Sequence, residues 1–519
     1  MWHCPTAPKS GSRDPRAHRD WPRLSDLQKR AVMYVYEGEG SLVLCGAAGT
    51  GKSMTIGVLR DTAGPVITAS TGIAASNING VTLHSLLHWI PGESFGDWMR
   101  RIKSIVKKFI GVRILIVDEF LMFGDKDADR LDRMFTEIAK RDPARADTCR
   151  QPFGGYRFVF IGDPLQLEPV NQRPFFHAAA YATLAPRVIV LQRVFRQTAP
   201  LYLHLLGCMR LGFHTPLSSL LMLLLEHRAA NLVARSNAMW LFAVRRLRDQ
   251  CNFDGVRLYG RTVLFERSWE YDIDGPGVYQ IGKKVHTVVG LVGTEGREPP
   301  AVPDVFSVGC PVRIVKNIDV EAGLVNGAIG VVEQIDEAAR TITVRLASGA
   351  RHVLSETKVY CRVWKLASGR KLVVWCWAMP VMPAVAGTVN GMQGLTATGA
   401  VAVVTEHPSA TAALLYVAAS RTTKMANLLP RAVSPKMARL KPNASALAFL
   451  AEHGLDVGAE HELLALQAAE MLPNVCELAA AELEMTHVDV ARALRAVVAN
   501  PNSRRLWPRH ADEWNKLHF

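Results

Sequence analysis

Leu42-Val-Leu-Cys-Gly-Ala-Ala-Gly-Thr-Gly-Lys-Ser53 runs from an apolar triplet into a glycine-rich turn that closes on Lys52 and Ser53. The triplet Leu42 to Leu44 reads as a short buried strand, and the residues after Ser53 read as a helix. Gly46, Gly49 and Gly51, with Ala47, Ala48 and Thr50 between them, let backbone N–H groups close around phosphates. Lys52 offsets the phosphate charge and Ser53 offers an oxygen to Mg2+. The stretch is therefore a Walker A loop, and ATP with Mg2+ is the expected ligand.

Working outward, Leu24 to Tyr36 has a helical pattern, and buried apolar strands recur at Val66–Ile67, Ile114–Val117, Phe158–Ile161 and Val188–Leu191. Strands that alternate with helices indicate parallel α/β layers. Residues 201–250 read as Leu/Arg-rich helices. From about 305 to 376 the pattern becomes antiparallel, with strict alternation at Thr341-Ile-Thr-Val-Arg-Leu346 and turns at Asn326-Gly327 and Gly330. This predicts a small inserted β-barrel. Buried strands return at Ala400–Val404, followed by a helix at about 409–420. The last 80 residues are Ala/Leu/Glu-rich and helical in pattern, apart from a Pro/Arg/Trp-rich end. The expected divisions are a disordered basic tail at 1–23, a first ATPase domain at 24–186, a second domain at 187–430 carrying the insert, and a helical extension at 431–519.

Three further segments fall into order behind the loop. The strand Ile114–Val117 ends in Asp118-Glu119, where Asp118 can hold Mg2+ with Ser53 and Glu119 can act as general base on the attacking water. The strand Phe158–Ile161 ends in Gly162-Asp-Pro-Leu-Gln-Leu-Glu-Pro-Val170, and the Gln166 amide can both donate to a γ-phosphate and accept from water. Arg196 in Leu191-Gln-Arg-Val-Phe-Arg-Gln197 and Arg421 in Tyr416-Val-Ala-Ala-Ser-Arg421 are candidate arginine fingers.

The composition points to an anionic partner. Across 519 residues, 61 Lys+Arg face 47 Asp+Glu, a net charge of +14. Residues 441–519 carry seven Lys+Arg against eleven Asp+Glu, a net −4, so the first 440 residues carry +18. The nine cysteines are odd in number, irregularly spaced and without a C-x-x-C pair, which argues for reduced thiols rather than a zinc site or a secreted framework. The first 23 residues lack the apolar run of a secretory signal. The uncharged stretch Leu372–Met392 is long enough to span a bilayer, but Pro380 and Pro383 interrupt it, so a buried strand and turn are expected and no membrane partner.

The ordered set resembles a superfamily-one DNA helicase of the PIF type, related to RecD. The resemblance covers about residues 24–430. Leu24-Ser-Asp-Leu-Gln28 is similar to the family's adenine-reading motif, which implies an adenine role for Gln28. Ser70-Thr-Gly-Ile-Ala-Ala75 with Gly80-Val-Thr-Leu-His-Ser85 resembles its first DNA-contact motif, implying Thr71, Thr82, His84 and Ser85 as DNA contacts. Pro152-Phe-Gly-Gly155 matches the family's own signature segment. Lys316-Asn-Ile-Asp-Val320, Gly323–Gly327 and Gly330-Val-Val332 match the entry to its inserted barrel. Thr388-Val-Asn-Gly-Met-Gln-Gly394 resembles the fifth motif and implies that Gln393 and Gly394 face the nucleotide, although Asn390 and Gly391 replace the usual His and Lys.

The resemblance implies two RecA-like P-loop NTPase lobes in an α/β fold, with an inserted β-barrel and a helical C-terminal extension. It implies an ATP-dependent DNA helicase that moves 5′→3′ on single-stranded DNA and unwinds forked duplex DNA. Replication, recombination, repair and telomere maintenance are the tasks implied, in a nucleus (a host nucleus for a viral protein) or a mitochondrion. Protein partners could dock on 431–519. The residues leave two alternatives: a helicase-derived DNA-binding ATPase with weak or no unwinding, motivated by Asn390 and Gly391, and a P-loop switch unrelated to nucleic acid.

Overall fold

The computed structural model describes residues 14–90, 93–232, 238–271, 278–281, 284–287, 304–319, 322–365, 371–397, 399–404, 411–431 and 440–517. The chain forms two compact units, Met1–Ala243 with Thr388–Phe519, and Val244–Gly387.

The first unit is built around six parallel strands: β1 (Leu42–Gly46), β2 (Val66–Ala69), β3 (Val81–Thr82), β4 (Ile114–Asp118), β5 (Arg157–Gly162) and β6 (Arg187–Leu191), in the order β3-β2-β4-β5-β1-β6. β1, β4 and most of β5 are buried and near-continuously apolar, as strands covered on both faces must be. The register pairs Leu42 with Val159 and Arg187, and Ile116 with Val159. The carboxyl ends of β1, β4 and β5 therefore lie side by side, where an open α/β sheet binds its ligands. β6 pairs along the whole of β1, so the expected boundary at 186 moves: 187–191 belongs to the first lobe because its backbone partner is there.

A second parallel sheet joins Val401–Val404 to Met239–Phe242 on one side and Leu428–Arg431 on the other. The strand Met239–Phe242 falls inside the 201–250 segment expected to be all helix. Around this sheet pack the helices Pro200–Leu211, Pro216–Leu232 and Ala412–Ala419, and Leu220 to Leu225 are all buried. Two parallel sheets of this kind, with a helical C-terminal part, are the RecA-like architecture.

Two expectations at the ends need correction. Residues 14–23 are ordered: the 3-10 turns Pro15–Ala17 and Trp21–Arg23 are held by a contact between His18 Nε2 and Asp61 Oδ2 at 3.2 Å and by Trp21 against the first-lobe core. The remainder of the expected tail lies outside the described residues. The Pro/Arg/Trp-rich end is helical, because Pro501 and Pro508 each stand in the first turn of a helix, where a missing N–H costs nothing.

The second unit starts earlier and ends later than the expected 305–376 insert. Its core gathers Phe265, Phe306, Val312, Ile314, Val332, Ile342, Val344 and Val381. The main sheet is antiparallel and five-stranded, in the order Arg351–Ser355, Thr341–Leu346, Ile329–Asp336, Pro311–Ile314, Val381–Pro383. Among the described residues its two outer strands do not pair with each other, and the expected barrel is not confirmed. Of the segments matched to the barrel entry, Val320 lies outside the described residues. The uncharged stretch Leu372–Met392 folds mainly as strands, within Lys371–Ala378, Val381–Pro383 and Ala386–Thr388. Among the described residues no single helix is long and apolar enough to cross a membrane.

Candidate functional site

The P-loop bends where Gly49 and Gly51 take left-handed backbone, at φ +82 in each case. A side chain at Gly49 would collide with Arg196 Cβ at 2.6 Å, so glycine is needed there for approach as well as for conformation. Lys52 opens the helix Lys52–Ala63, and its ammonium donates to Gly46 O at 2.8 Å and Ala47 O at 3.0 Å. Thr50 Oγ1 closes the turn by donating to Ala47 O at 2.9 Å, while Ser53 is exposed.

Gln28, expected at the adenine, is 1% exposed and directs its amide into the protein. Its Nε2 donates to Thr50 O at 3.2 Å and Gly51 O at 3.1 Å, and its Oε1 accepts from Ser25 N at 2.7 Å. The Ser-x-x-Gln spacing is a capping box for the helix Asp26–Glu37. As placed, Gln28 braces the P-loop.

Asp118 ends β4 and is buried. Burial and the neighbouring Glu119 push its carboxyl up to about 7, with Lys52 pulling the other way. Two adjacent carboxylates beside one lysine leave an electrostatic demand that a divalent cation would relieve. Glu119 stands at φ +51, which turns its side chain out of the strand direction.

The second lobe meets these groups directly. Gln393 Nε2 donates to Glu119 Oε2 at 3.0 Å and to Gln166 Oε1 at 3.4 Å, and Gln166 Nε2 reaches Asp163 Oδ2 at 3.5 Å. Gln393 Oε1 is buried and has no partner among the described residues. Gly394, at φ +89, presents its carbonyl to Asn77 Nδ2 at 2.7 Å. Arg421 is 4% exposed and donates to Val417 O at 2.9 Å and Leu395 O at 3.1 Å. Burial lowers its pKa, and Glu119 opposes that shift. Arg196 is exposed; its backbone N–H donates to Gly49 O at 3.3 Å, and its Nη1 donates to Ser420 O at 3.5 Å.

Sequence reasoning missed three residues here. Asp163 and Arg210 form a buried ion pair at 2.9 Å behind the P-loop. Burial alone would raise Asp163, but Arg210 and Lys52 outweigh it and hold the carboxyl below its usual range. Tyr416 accepts a hydrogen bond from Ala48 N at 2.8 Å. Asp163 and Tyr416 lie inside stretches singled out by motif, whereas nothing local marks Arg210 among the leucines of its helix.

The candidate DNA contacts lie at or just past the carboxyl ends of β2 and β3. Thr71 and Thr82 are half-buried, and each hydroxyl caps a short helix, accepting from Ala74 N and Ser85 N at 3.2 Å. His84 is half-buried and stacks on Trp89 at 4.6 Å and on Phe123 at 5.5 Å. Trp89 is 6% exposed and belongs to the core, while Ser85 is exposed.

Residues 24–202 match the family model for PIF1-like helicases, and residues 305–335 match that of the 2B domain of DNA helicase Pif1. The ATP-dependent DNA helicase PIF7 of Trypanosoma brucei brucei is 29% identical over 85% of this chain and 49% of its own length. The human ATP-dependent DNA helicase PIF1 is 27% identical over 72% of this chain and 56% of its own. The chain thus spans about half the length of these relatives. Among solved structures, a Bacteroides Pif1 helicase in complex with ADP-AlF3 and single-stranded DNA superposes with a TM-score of 0.66 at 21% identity, over 83% of this chain and 97% of that one. The Pif1 helicase of Candida albicans gives 0.64 at 23%, over 83% and 99%. At these identities the structural likeness speaks for the fold.

Proposed function

The chain is PIF1-like in its first lobe and its 2B segment, and from that premise we propose that it is an ATP-dependent DNA helicase. ATP with Mg2+ binds at Gly46–Ser53, with Ser53 and Asp118 on the metal. Lys52 neutralises phosphate charge, Glu119 activates the water, Gln166 and Gln393 sense the γ-phosphate, and Arg196 and Arg421 stabilise charge in the transition state. Hydrolysis opens and closes the lobes, and the chain steps 5′→3′ along single-stranded DNA into a forked duplex. Thr71, Thr82, His84 and Ser85 are the first-lobe contacts. The relatives' names, ATP-dependent DNA helicase, support action on DNA, and the setting we infer is DNA maintenance in the nucleus or the mitochondrion.

One observation carries this reading. Gln393 of the second lobe bonds Glu119 and Gln166 of the first, so three residues nominated separately from sequence meet in one place. A nucleotide switch that does not act on nucleic acid has no need of that second-lobe contact. The test is ATP turnover with and without single-stranded DNA, alongside strand displacement on a fluorescent fork. Lys52→Ala removes turnover and unwinding and spares DNA binding; normal turnover in that variant would sink the assignment.

Asn390 and Gly391 favour a second reading, an ATPase that responds to DNA but unwinds weakly. They occupy the 3-10 turn Asn390–Met392, where the usual cationic side chain is missing. Full DNA stimulation without strand displacement would select it.

A further inference from the structure

Tyr416 is 2% exposed, and its hydroxyl accepts from the Ala48 N–H at 2.8 Å. Ala48 lies in the P-loop, whose amide groups serve phosphate oxygens, so a side chain from the other lobe on one of them is an unusual partner. A buried N–H must be paired, and among the described residues the partner of this one is Tyr416 of the second lobe. Tyr416 belongs to the helix Ala412–Ala419, and that helix leads through Ser420 into Arg421. Ser420 N donates to Tyr416 O at 2.8 Å, and Arg421 Nε donates back to Val417 O at 2.9 Å. The segment from 416 to 421 is thus one rigid piece with two ends, a hydroxyl on the P-loop and a guanidinium whose charge acts on Glu119. Behind it, Asp163 and Arg210 form their buried pair and keep the backing of the P-loop fixed.

We propose that Tyr416 is a positioning residue for ATP hydrolysis: by docking on the Ala48 amide it sets where Arg421 stands relative to the γ-phosphate and the Glu119-bound water. It does so through the helix, without itself touching nucleotide. The inference rests on the ATPase reading above and adds a residue to it.

Tyr416→Phe keeps the ring and removes the hydroxyl. The expected result is a kcat for DNA-stimulated ATP turnover about 10-fold lower, with KM and the affinity for a fluorescent ADP analogue unchanged. In an Arg421→Ala background, Tyr416→Phe lowers kcat no further, because the two act as a unit. Three outcomes overturn the proposal: an unchanged kcat, a raised KM with kcat preserved (direct phosphate contact), or additive losses in the double variant. If the phenylalanine variant fails to fold, 3,5-difluorotyrosine at 416 retains the hydroxyl and weakens it as an acceptor. That substitution should lower kcat and leave KM alone, and an unchanged kcat there counts against the proposal. If the unmodified protein shows no ATP turnover, the failure belongs to the ATPase reading itself.

Discussion

At Glu119 the backbone holds φ +51, a conformation that costs a non-glycine residue free energy, and the carboxylate it aims is met by Gln393. Glu119→Gln retains an acceptor for Gln393 and loses the base, so the lobe contact should survive without chemistry. Stopped-flow nucleotide binding should be near normal while turnover falls at least about 100-fold. His204 supplies a pH test. It is 1% exposed, its Nε2 lies 2.8 Å from Thr215 Oγ1, and burial lowers its pKa to about 4 from the ordinary 6.5. The folded state therefore favours the neutral ring. Stability is fully present above pH 6.5 and is lost as pH falls toward 4, up to about 3 kcal/mol. Urea titrations across that window should show the slope, and His204→Gln should flatten it. The sequence made Glu119 legible by its place after an apolar strand, whereas His204 resembles any histidine in a Leu-rich helix.

At the scale of elements, the segment Pro152-Phe-Gly-Gly155 acquires a physical reason. Phe153, Gly154 and Gly155 take φ of +51, +61 and +72, and the turn drives Phe153 into the core against Phe158. The Phe153 N–H donates to Asp132 Oδ1 at 2.6 Å. A methyl at Gly154 would lie 2.6 Å from both Ala139 Cβ and Phe135 O. Gly154→Ala should cost about 2 kcal/mol or more, read as a lowered Tm. A second element-level device is the cap on the helix Pro200–Leu211. Glu482, from the helix Val475–Leu483 far along the chain, accepts from Leu201 N at 2.7 Å and Tyr202 N at 3.0 Å. Glu482→Ala should lose about 1 kcal/mol in thermal unfolding, and Glu482→Gln less, since its amide oxygen still accepts from the helix N–H groups. Sequence periodicity gives both helices, but a cap supplied from 280 residues away leaves no local signal.

On the scale of the whole molecule, the acidic extension proves to be part of the first compact unit rather than an appendage. Phe449 stacks on Phe176 of the first lobe at 4.5 Å, while Val490, Leu494, Trp507 and Trp514 enter the core around Pro200–Leu211 and Pro216–Leu232. Trp514 Nε1 donates to Pro216 O at 2.9 Å. A chain ending at 443 should be insoluble or bind a hydrophobic dye strongly, because these helices would lose their cover. The sequence by itself determined the glycine-rich loop, the strands that lead into Asp118 and toward Gln166, and the order of the motifs, because each depends on a few adjacent residues whose types the chemistry dictates. Tertiary structure alone decided that β6 belongs to the first sheet, that Gln28 faces inward, that Gln393 reaches Glu119, and that Tyr416 lies on Ala48. Those contacts join residues up to 368 positions apart, and such pairings are set by sheet order and core packing rather than by local pattern.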